Sequence, residues 1–298
     1  GGIGMMIGWP HLEVTVELSE HDSVTAPDAL QHKIVSAREA YRHAVAQQSC
    51  PAVSVNVQGD VALHSGFGTG TQLALGIAHA LDYLYDHQHS LEQLASFVGR
   101  GKRSALGVHG FQHGGFLVDG GKRRENEVGT LVAQVSVCPD WRVLLITPGD
   151  AQGLSGAEEE AAFAELTEMP WDVTDHLCRL VLLDILPALQ EFDFPAFSEA
   201  IHEYGASVGD YFAPIQGGRY AHSRMASLID WLRQEGISGV GQSSWGPTIF
   251  AFCESMGLAE QLKSRILRQD CYADCRMEIA HPLNSGAQMM PLNQTAEL

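Results

Sequence analysis

Positive charge is scarce in this sequence. Its 298 residues carry 18 Lys and Arg against 36 Asp and Glu, a formal net charge of −18. Nucleic-acid phosphates need a cationic surface, so a nucleic-acid partner is disfavoured and solubility is favoured. Long apolar runs are missing too. No stretch reaches the roughly 18 apolar residues that a membrane-spanning helix requires, so no membrane partner is expected. No secretory leader pattern opens the chain, and the expected location is the cytoplasm. The six cysteines, Cys50, Cys138, Cys178, Cys253, Cys271 and Cys275, never form C-x-x-C. Reduced thiols are therefore expected rather than disulfides or a zinc site. Cys271 and Cys275 stand four apart in a stretch read as a strand, which is poor zinc spacing. His109 and His113 would make a metal pair only on a helix. Gly107, Gly110, Gly114 and Gly115 argue against a helix there. Internal repeats and low-complexity tracts are also absent.

Apolar residues are ample, at 45% of the chain. That suffices for a real core, and the length suggests two domains. Residues 11–18 alternate as a half-buried strand does. Residues 31–48 read as a helix ended by Cys50 and Pro51. Val53, Val55 and Val57 share one face of a strand. Leu73, Ile77, Leu81 and Leu84 recur at helical spacing, which predicts a helix from about Thr71 to Tyr85. A shorter helix follows at 90–99, then a strand or hairpin within 114–121. Residues 141–149 form a strong buried strand, and the domain boundary is placed there, dividing the chain into 1–139 and 140–298. Beyond it come a helix at about 174–190, kinked or ended at Pro187, and a helix carrying Met225, Leu228, Ile229 and Leu232. A strand, tight turn and strand follow across 239–252, then a helix at 255–268 and a strand-like stretch at 271–281. The tail from Pro282 is expected to fray. Strands and helices mix with much hairpin character in both halves, which favours an α+β fold over a doubly wound sheet.

The few cations are unevenly spread. Between Arg42 and Arg100 there is no Lys or Arg, and then Arg100, Lys102, Arg103, Lys122, Arg123 and Arg124 come in close succession. A local cationic patch on an acidic chain suits a small anionic ligand, although Arg123 and Arg124 also read as a solvated turn. Ahead of it lies "HSGFGTGTQLALGIAHAL" (64–81), where Gly66, Gly68 and Gly70 run straight into the helix pattern. A helix N-terminus presents amides without intrahelical partners and a partial positive charge. A loop nearly free of side chains lets a phosphate reach those amides. Thr69 and Thr71 add hydroxyls, and Thr71 is a candidate ligand for a phosphate-bound Mg²⁺. No Lys follows in the Walker position, and G-x-G-x-G is not the dinucleotide fingerprint. Close helix packing is the plain structural alternative for these glycines.

This stretch resembles the glycine-rich second motif of the GHMP kinase superfamily, with Gly-Thr-Gly-Thr-Gln (68–72) where those kinases carry a serine pair. Four further stretches are similar to one branch, the β-ribofuranosylaminobenzene 5′-phosphate synthase family: 99–121, "GLSGAEEE" (153–160), "APIQGG" (213–218) and "GQSSWGPTIFAF" (241–252). "GGIGMMI" at the start matches as well. The resemblance implies a two-domain fold, ribosomal protein S5 domain 2-like in the N-terminal half and ferredoxin-like in the C-terminal half. It implies a decarboxylating pentosyltransferase acting on 4-aminobenzoate and 5-phosphoribosyl-1-pyrophosphate (PRPP), assisted by Mg²⁺ without an organic cofactor, and a homodimer. It further implies a strand ahead of Gly1 bearing basic residues near the site.

By position, the resemblance gives Gly66, Gly68, Thr69, Gly70 and Thr71 the phosphate, with Gln72 beside it. Arg100, Lys102, Arg103 and Ser104 take the anionic donor, and Arg103 and His109 are the candidates for catalysis, His109 in proton transfer or carboxylate contact. Gln216, Gly217 and Gly218 shape the floor. Gln242, Ser243, Ser244 and Trp245 face the same cleft, Trp245 stacking on an aromatic acceptor. Asp119 and Glu158, Glu159 and Glu160 are weaker metal candidates, each with a turn or helix-start reading. Two other functions compete: an ATP-dependent small-molecule kinase of the same superfamily, and a non-catalytic ligand-binding dimer.

Overall fold

Side-chain alternation decides the first layer. The computed structural model describes residues 1–46, 50–59, 66–124, 127–149 and 166–292. Strand β2 (Glu13–Leu18) runs antiparallel to β4 (Val53–Gln58), and the short β3 (Ser23–Thr25) runs parallel to β4 on its other side. Val53, Val55 and Val57 all turn inward from β4 and are buried. Helix α1 (Asp28–Ala44) covers them with Leu30, Ile34 and Tyr41, and α2 (Thr69–Leu84) with Leu73, Ile77 and Leu81. The short α3 (Leu91–Phe97) starts in a capping box of Ser90 and Gln93.

A second three-stranded sheet places β5 (Phe116–Asp119) between β1 (Gly2–Met5) and β6 (Leu131–Val135), all antiparallel. Ahead of β5, the glycine-rich stretch expected to avoid a helix forms one, α4 (Leu106–His113). The glycines are there for contact. A Cβ on Gly107 would lie 2.9 Å from Thr71 Cγ2, and one on Gly110 would run into the Met6 side chain. Close packing overrides the modest propensity cost.

The later residues build a four-stranded antiparallel sheet in the order β10 (Arg276–Ala280), β7 (Arg142–Thr147), β9 (Ile249–Cys253), β8 (Val240–Gln242). β7 is apolar on both faces. Leu144 and Ile146 meet Leu228 and Leu232 of α8 (Ser223–Gln234) and Leu262 of α9 (Met256–Leu267). Val143 and Leu145 join Trp141, and Phe197 and Ile201 of α7 (Phe194–Gln216), in a separate cluster. Before α7, α5 (Trp171–Arg179) widens into a π-helical stretch, Leu180–Ile185, and resumes as α6 (Leu186–Glu191). Pro187 cannot donate to the carbonyl four residues back, and the wider turn ahead of it absorbs the lost bond. α7 itself is missing from the sequence reading, although Asp193 at its start and Gly217 at its left-handed end are ordinary helix boundaries.

Two further expectations change. Cys271 sits in a 3₁₀ turn, and the strand begins only at Arg276, past Cys275. The tail does not fray at Pro282. Leu283 donates to the Met6 carbonyl and accepts from the Gly115 amide, and Ala287 donates to the Phe111 carbonyl. Among the described residues, no strand before Val135 pairs with one after Arg142, and no helix is long and apolar enough to cross a membrane.

Candidate functional site

Gly68 opens helix α2 in the left-handed conformation, φ 68° and ψ 13°, and among the described residues no side chain caps the helix. The amides of Thr71 and Gln72 turn back to the Gly68 carbonyl. A Cβ on Gly68 would meet nothing within 4 Å, so the helix start faces open space. Gly66 is held differently. A Cβ there would stand 2.5 Å from the Ser243 carbonyl oxygen, while the Ser243 hydroxyl donates to the Gly66 carbonyl at 2.8 Å. The glycine loop is thus pinned to the β8–β9 turn, which Ser244 (φ 52°) and Gly246 (φ 65°) bend sharply. Both belong to one cleft of about 2830 Å³, lined by residues from both halves of the chain.

Arg100 stands over the first turn of α2, its guanidinium 3.7 Å from where a Gly70 Cβ would be. Its Nε is buried without a hydrogen-bond partner among the described residues. Burial, and then the nearby Arg103, push its pKa below the ordinary guanidinium value. Lys33 of α1 is likewise lowered, by burial first and by Arg100 second. Three cations therefore crowd the mouth of an uncapped helix, an arrangement that repels itself and attracts an anion. Lys33 escaped the sequence reading. Its signal was its helical neighbourhood: it flanks the buried stripe of Leu30, Ile34 and Ala37.

The other expected residues divide. Thr71 lines the cleft and packs on Gly107, and the Gln72 side-chain amide donates to the Gly107 carbonyl at 2.8 Å, tying α2 to α4. Lys102, Arg103 and Ser104 are exposed along the cleft, and the Ser104 hydroxyl accepts from the Leu106 amide at the start of α4. Gln242 accepts from the Ala221 amide and donates to Gln216 and to the Ser244 carbonyl. Gln216 donates in turn to the Arg219 carbonyl.

Four expectations are corrected by placement. His109 is only 7% exposed, its Nε2 lies 2.7 Å from the Gly129 carbonyl, and it does not line the cleft. Its Nε2 is thus taken up inside the fold, and it shares helix α4 with His113, the setting in which the two could have been read as a pair. Trp245 is buried against Phe212, ring centroids 4.6 Å apart, so it forms wall rather than an open stacking platform. Gly217 ends α7, and neither it nor Gly218 lines the cleft. Both Asp119 carboxylate oxygens are engaged, by the amides of Ala105 and Gly121. Glu158, Glu159 and Glu160 lie outside the described residues, as does the whole 153–160 motif.

Comparison with known proteins follows the same two halves. Residues 32–116 match the GHMP kinases N terminal domain, and residues 185–273 match the GHMP kinases C terminal domain. A protein of Archaeoglobus fulgidus named beta-ribofuranosylphenol 5′-phosphate synthase is 29% identical, across 97% of this chain and 91% of its own. A protein of the same name from Methanothermobacter thermautotrophicus is 27% identical, across 84% of this chain and 80% of its own. Among solved structures, the L. major mevalonate kinase in complex with R-mevalonate superposes with a TM-score of 0.67 at 14% identity, covering 96% and 90% of the two chains. Homoserine kinase from Cytophaga hutchinsonii gives 0.61 at 14%, covering 95% and 90%. At such identities those two structures speak for the fold alone. With the N-terminal and C-terminal domains both present in order on that fold, the chain belongs to the GHMP kinase superfamily, in the company of the beta-ribofuranosylphenol 5′-phosphate synthases.

Proposed function

We propose that this enzyme is a pentosyltransferase that joins the ribose of PRPP to the ring of a 4-substituted benzoate. The C1–oxygen bond of the donor breaks and pyrophosphate leaves with its electrons. The ring carbon bearing the carboxylate bonds to C1, pushed by the electron-donating group opposite. The carbon–carboxylate bond then breaks, CO₂ departs, and its electron pair restores aromaticity. The substrate's own substituent supplies the push, so the reaction calls for no organic electron sink.

The observation that carries this reading is the start of α2 beneath Arg100: among the described residues no side chain caps the helix, and the buried Arg100 Nε has no hydrogen-bond partner. A phosphate would accept from the first amides of α2, those of Thr69 and Gly70 ahead of the bonded Thr71 and Gln72, and from the guanidinium together, and such charge-assisted bonds are the strong ones. Arg103, Lys102 and Lys33 would offset charge growing on the leaving pyrophosphate. Around this loop the described residues offer amides and hydroxyls, and the Asp119 carboxylate is engaged. Such a set fits a Mg²⁺ carried in on the pyrophosphate, with the Thr71 hydroxyl as its protein ligand. When bound, the ion would neutralise phosphate charge.

The acceptor has two readings. The glycine-loop resemblance implies 4-aminobenzoate. The relatives' names contain phenol, which corresponds to 4-hydroxybenzoate. Amino and hydroxyl groups push electrons alike, and the acceptor is decided by assay. Full-length protein supplied with Mg²⁺ and either carboxyl-labelled benzoate should release labelled CO₂ only when PRPP is added. The amino compound is expected to be the faster. Absence of release from both, with tight ATP–Mg²⁺ binding and none of PRPP, would replace this reading with a kinase.

A further inference from the structure

The far end of helix α2 carries a second set of chemistry-bearing side chains. Asp82 is 4% exposed in the last turn, where no basic side chain accompanies it. Burial and the negative end of the helix dipole both disfavour a carboxylate there. Its oxygens accept from the Tyr41 hydroxyl at 2.9 Å and the His89 amide at 3.1 Å, and one lies 2.6 Å from His89 Nδ1. The Tyr41 oxygen also stands 2.8 Å from His87 Nδ1. One Asp82 oxygen and one ring nitrogen each from His87 and His89 lie within 4.8 Å of one another. Their placement is built in. The His87 amide donates to the Asp82 carbonyl, the His89 ring packs on Phe97, and Tyr41 is fully buried.

We propose that Asp82, His87 and His89 bind one divalent cation of the zinc type. Two imidazole nitrogens and a carboxylate oxygen are donors that Zn²⁺ accepts in a four-coordinate site, whereas Mg²⁺ favours oxygen alone. With metal–ligand bonds of about 2.0–2.1 Å, tetrahedral ligand atoms stand roughly 3.3 Å apart. The cluster reaches this by opening the short Asp82–His89 contact and drawing His87 in. A water completes the set, with the Tyr41 hydroxyl donating to Asp82 from α1. A cation answers the buried carboxylate and ties the end of α2 to the 85–90 connection and to α1. Asp82 lies about 18 Å along the helix from Gly70 at 1.5 Å per residue. The site is thus independent of the glycine loop and of the proposed transferase chemistry.

Full-length protein treated with chelator and dialysed is titrated with ZnCl₂ by calorimetry. One Zn²⁺ per chain should bind and raise Tm, and MgCl₂ should do neither. His87→Gln and His89→Gln should each weaken binding at least tenfold, with folding checked by circular dichroism. The wild type loaded with Co²⁺ should show the intense visible bands of tetrahedral cobalt, a readout that needs no variant. No saturable Zn²⁺ binding, or equal stoichiometry and affinity in both folded variants, overturns the proposal by leaving zinc to others of the 14 histidines. Weak octahedral cobalt bands overturn it as well. PRPP affinity measured on the same samples should not change, so the two proposals fail separately.

Discussion

Gly68 and Arg100 test the anion cradle from opposite sides. Gly68→Val puts a β-branched side chain at φ 68° into open space. The backbone strain costs roughly 1–2 kcal/mol. Gly236 is the matched control, since its φ is 83° and its Cβ also meets nothing within 4 Å, yet it stands away from the cleft. Thermal unfolding should show similar losses for Gly68→Val and Gly236→Val, while calorimetry with PRPP should show lost affinity only for Gly68→Val. Equal PRPP binding by the two would remove the phosphate from α2. Arg100→Ala deletes a half-buried cation that burial and Arg103 already disfavour. Its loss should weaken PRPP by roughly 1.5–3 kcal/mol, the worth of a hydrogen bond to a charged group, without lowering the stability of the free protein. A fall in Tm with unchanged affinity would make Arg100 structural. At this scale the sequence showed the glycines well, because a missing side chain is visible in one dimension. It showed Lys33 poorly, because Lys33 reaches Arg100 only through the packing of α1. The placement of His109 is hidden for the same reason: its partner, the Gly129 carbonyl, is 20 residues away and arrives by folding.

Elements meet through single side chains that take several partners each. Asp22 is one. Both its oxygens accept from Arg42 of α1, at 2.6 and 2.9 Å, and one also accepts from the Val53 amide at the start of β4. The Arg42 hydrogen bonds foremost hold its carboxyl at about 2, below the usual 3.8. A lowered folded pKa gives stability that is whole above 3.8 and drains away as the pH falls through about 2. Asp22→Asn should therefore cost roughly 1–3 kcal/mol at neutral pH and remove that part of the acid-induced loss. Urea unfolding at pH 7 and at pH 3 measures both, and an unchanged acid slope in the variant would place the titration elsewhere. Periodicity made β4 and α2 legible from the sequence, since Val53, Val55, Val57 and Leu73, Ile77, Leu81 obey the periods of 2 and 3.6. Helix α4 was illegible for a physical reason. Its glycines look like breakers until Thr71 and Met6 are seen to occupy the space their side chains would fill. Helix α7 was hidden similarly, as Gly205, Gly209 and Pro214 interrupt its pattern, and Gly209 faces the Arg219 carbonyl too closely for a Cβ.

Across the whole molecule the two halves keep separate sheets and yet share the cleft. Gly66 and Ser243 clasp at the cleft, and residues 283–287 cross back onto Met6 just past β1, Phe111 of α4 and Gly115 just ahead of β5. The tail looked polar and expendable in sequence because its anchors are backbone groups and one asparagine, none of which has a periodic signature. Asn284 is the clearest anchor. Its amide nitrogen donates to the Val137 carbonyl and its oxygen accepts from the Val137 amide, both at 2.8 Å. Val137 is 1% exposed, so water cannot replace both partners cheaply. Asn284→Ala should therefore cost roughly 1–3 kcal/mol, the penalty for buried backbone groups left unpaired. If the clasp and the tail couple the halves, the loss lowers one shared transition rather than splitting it. Circular dichroism and tryptophan fluorescence should then melt together in the variant, a few degrees below the wild type. Two separated melts would show that the halves unfold independently, and an unchanged Tm would return the tail to the surface.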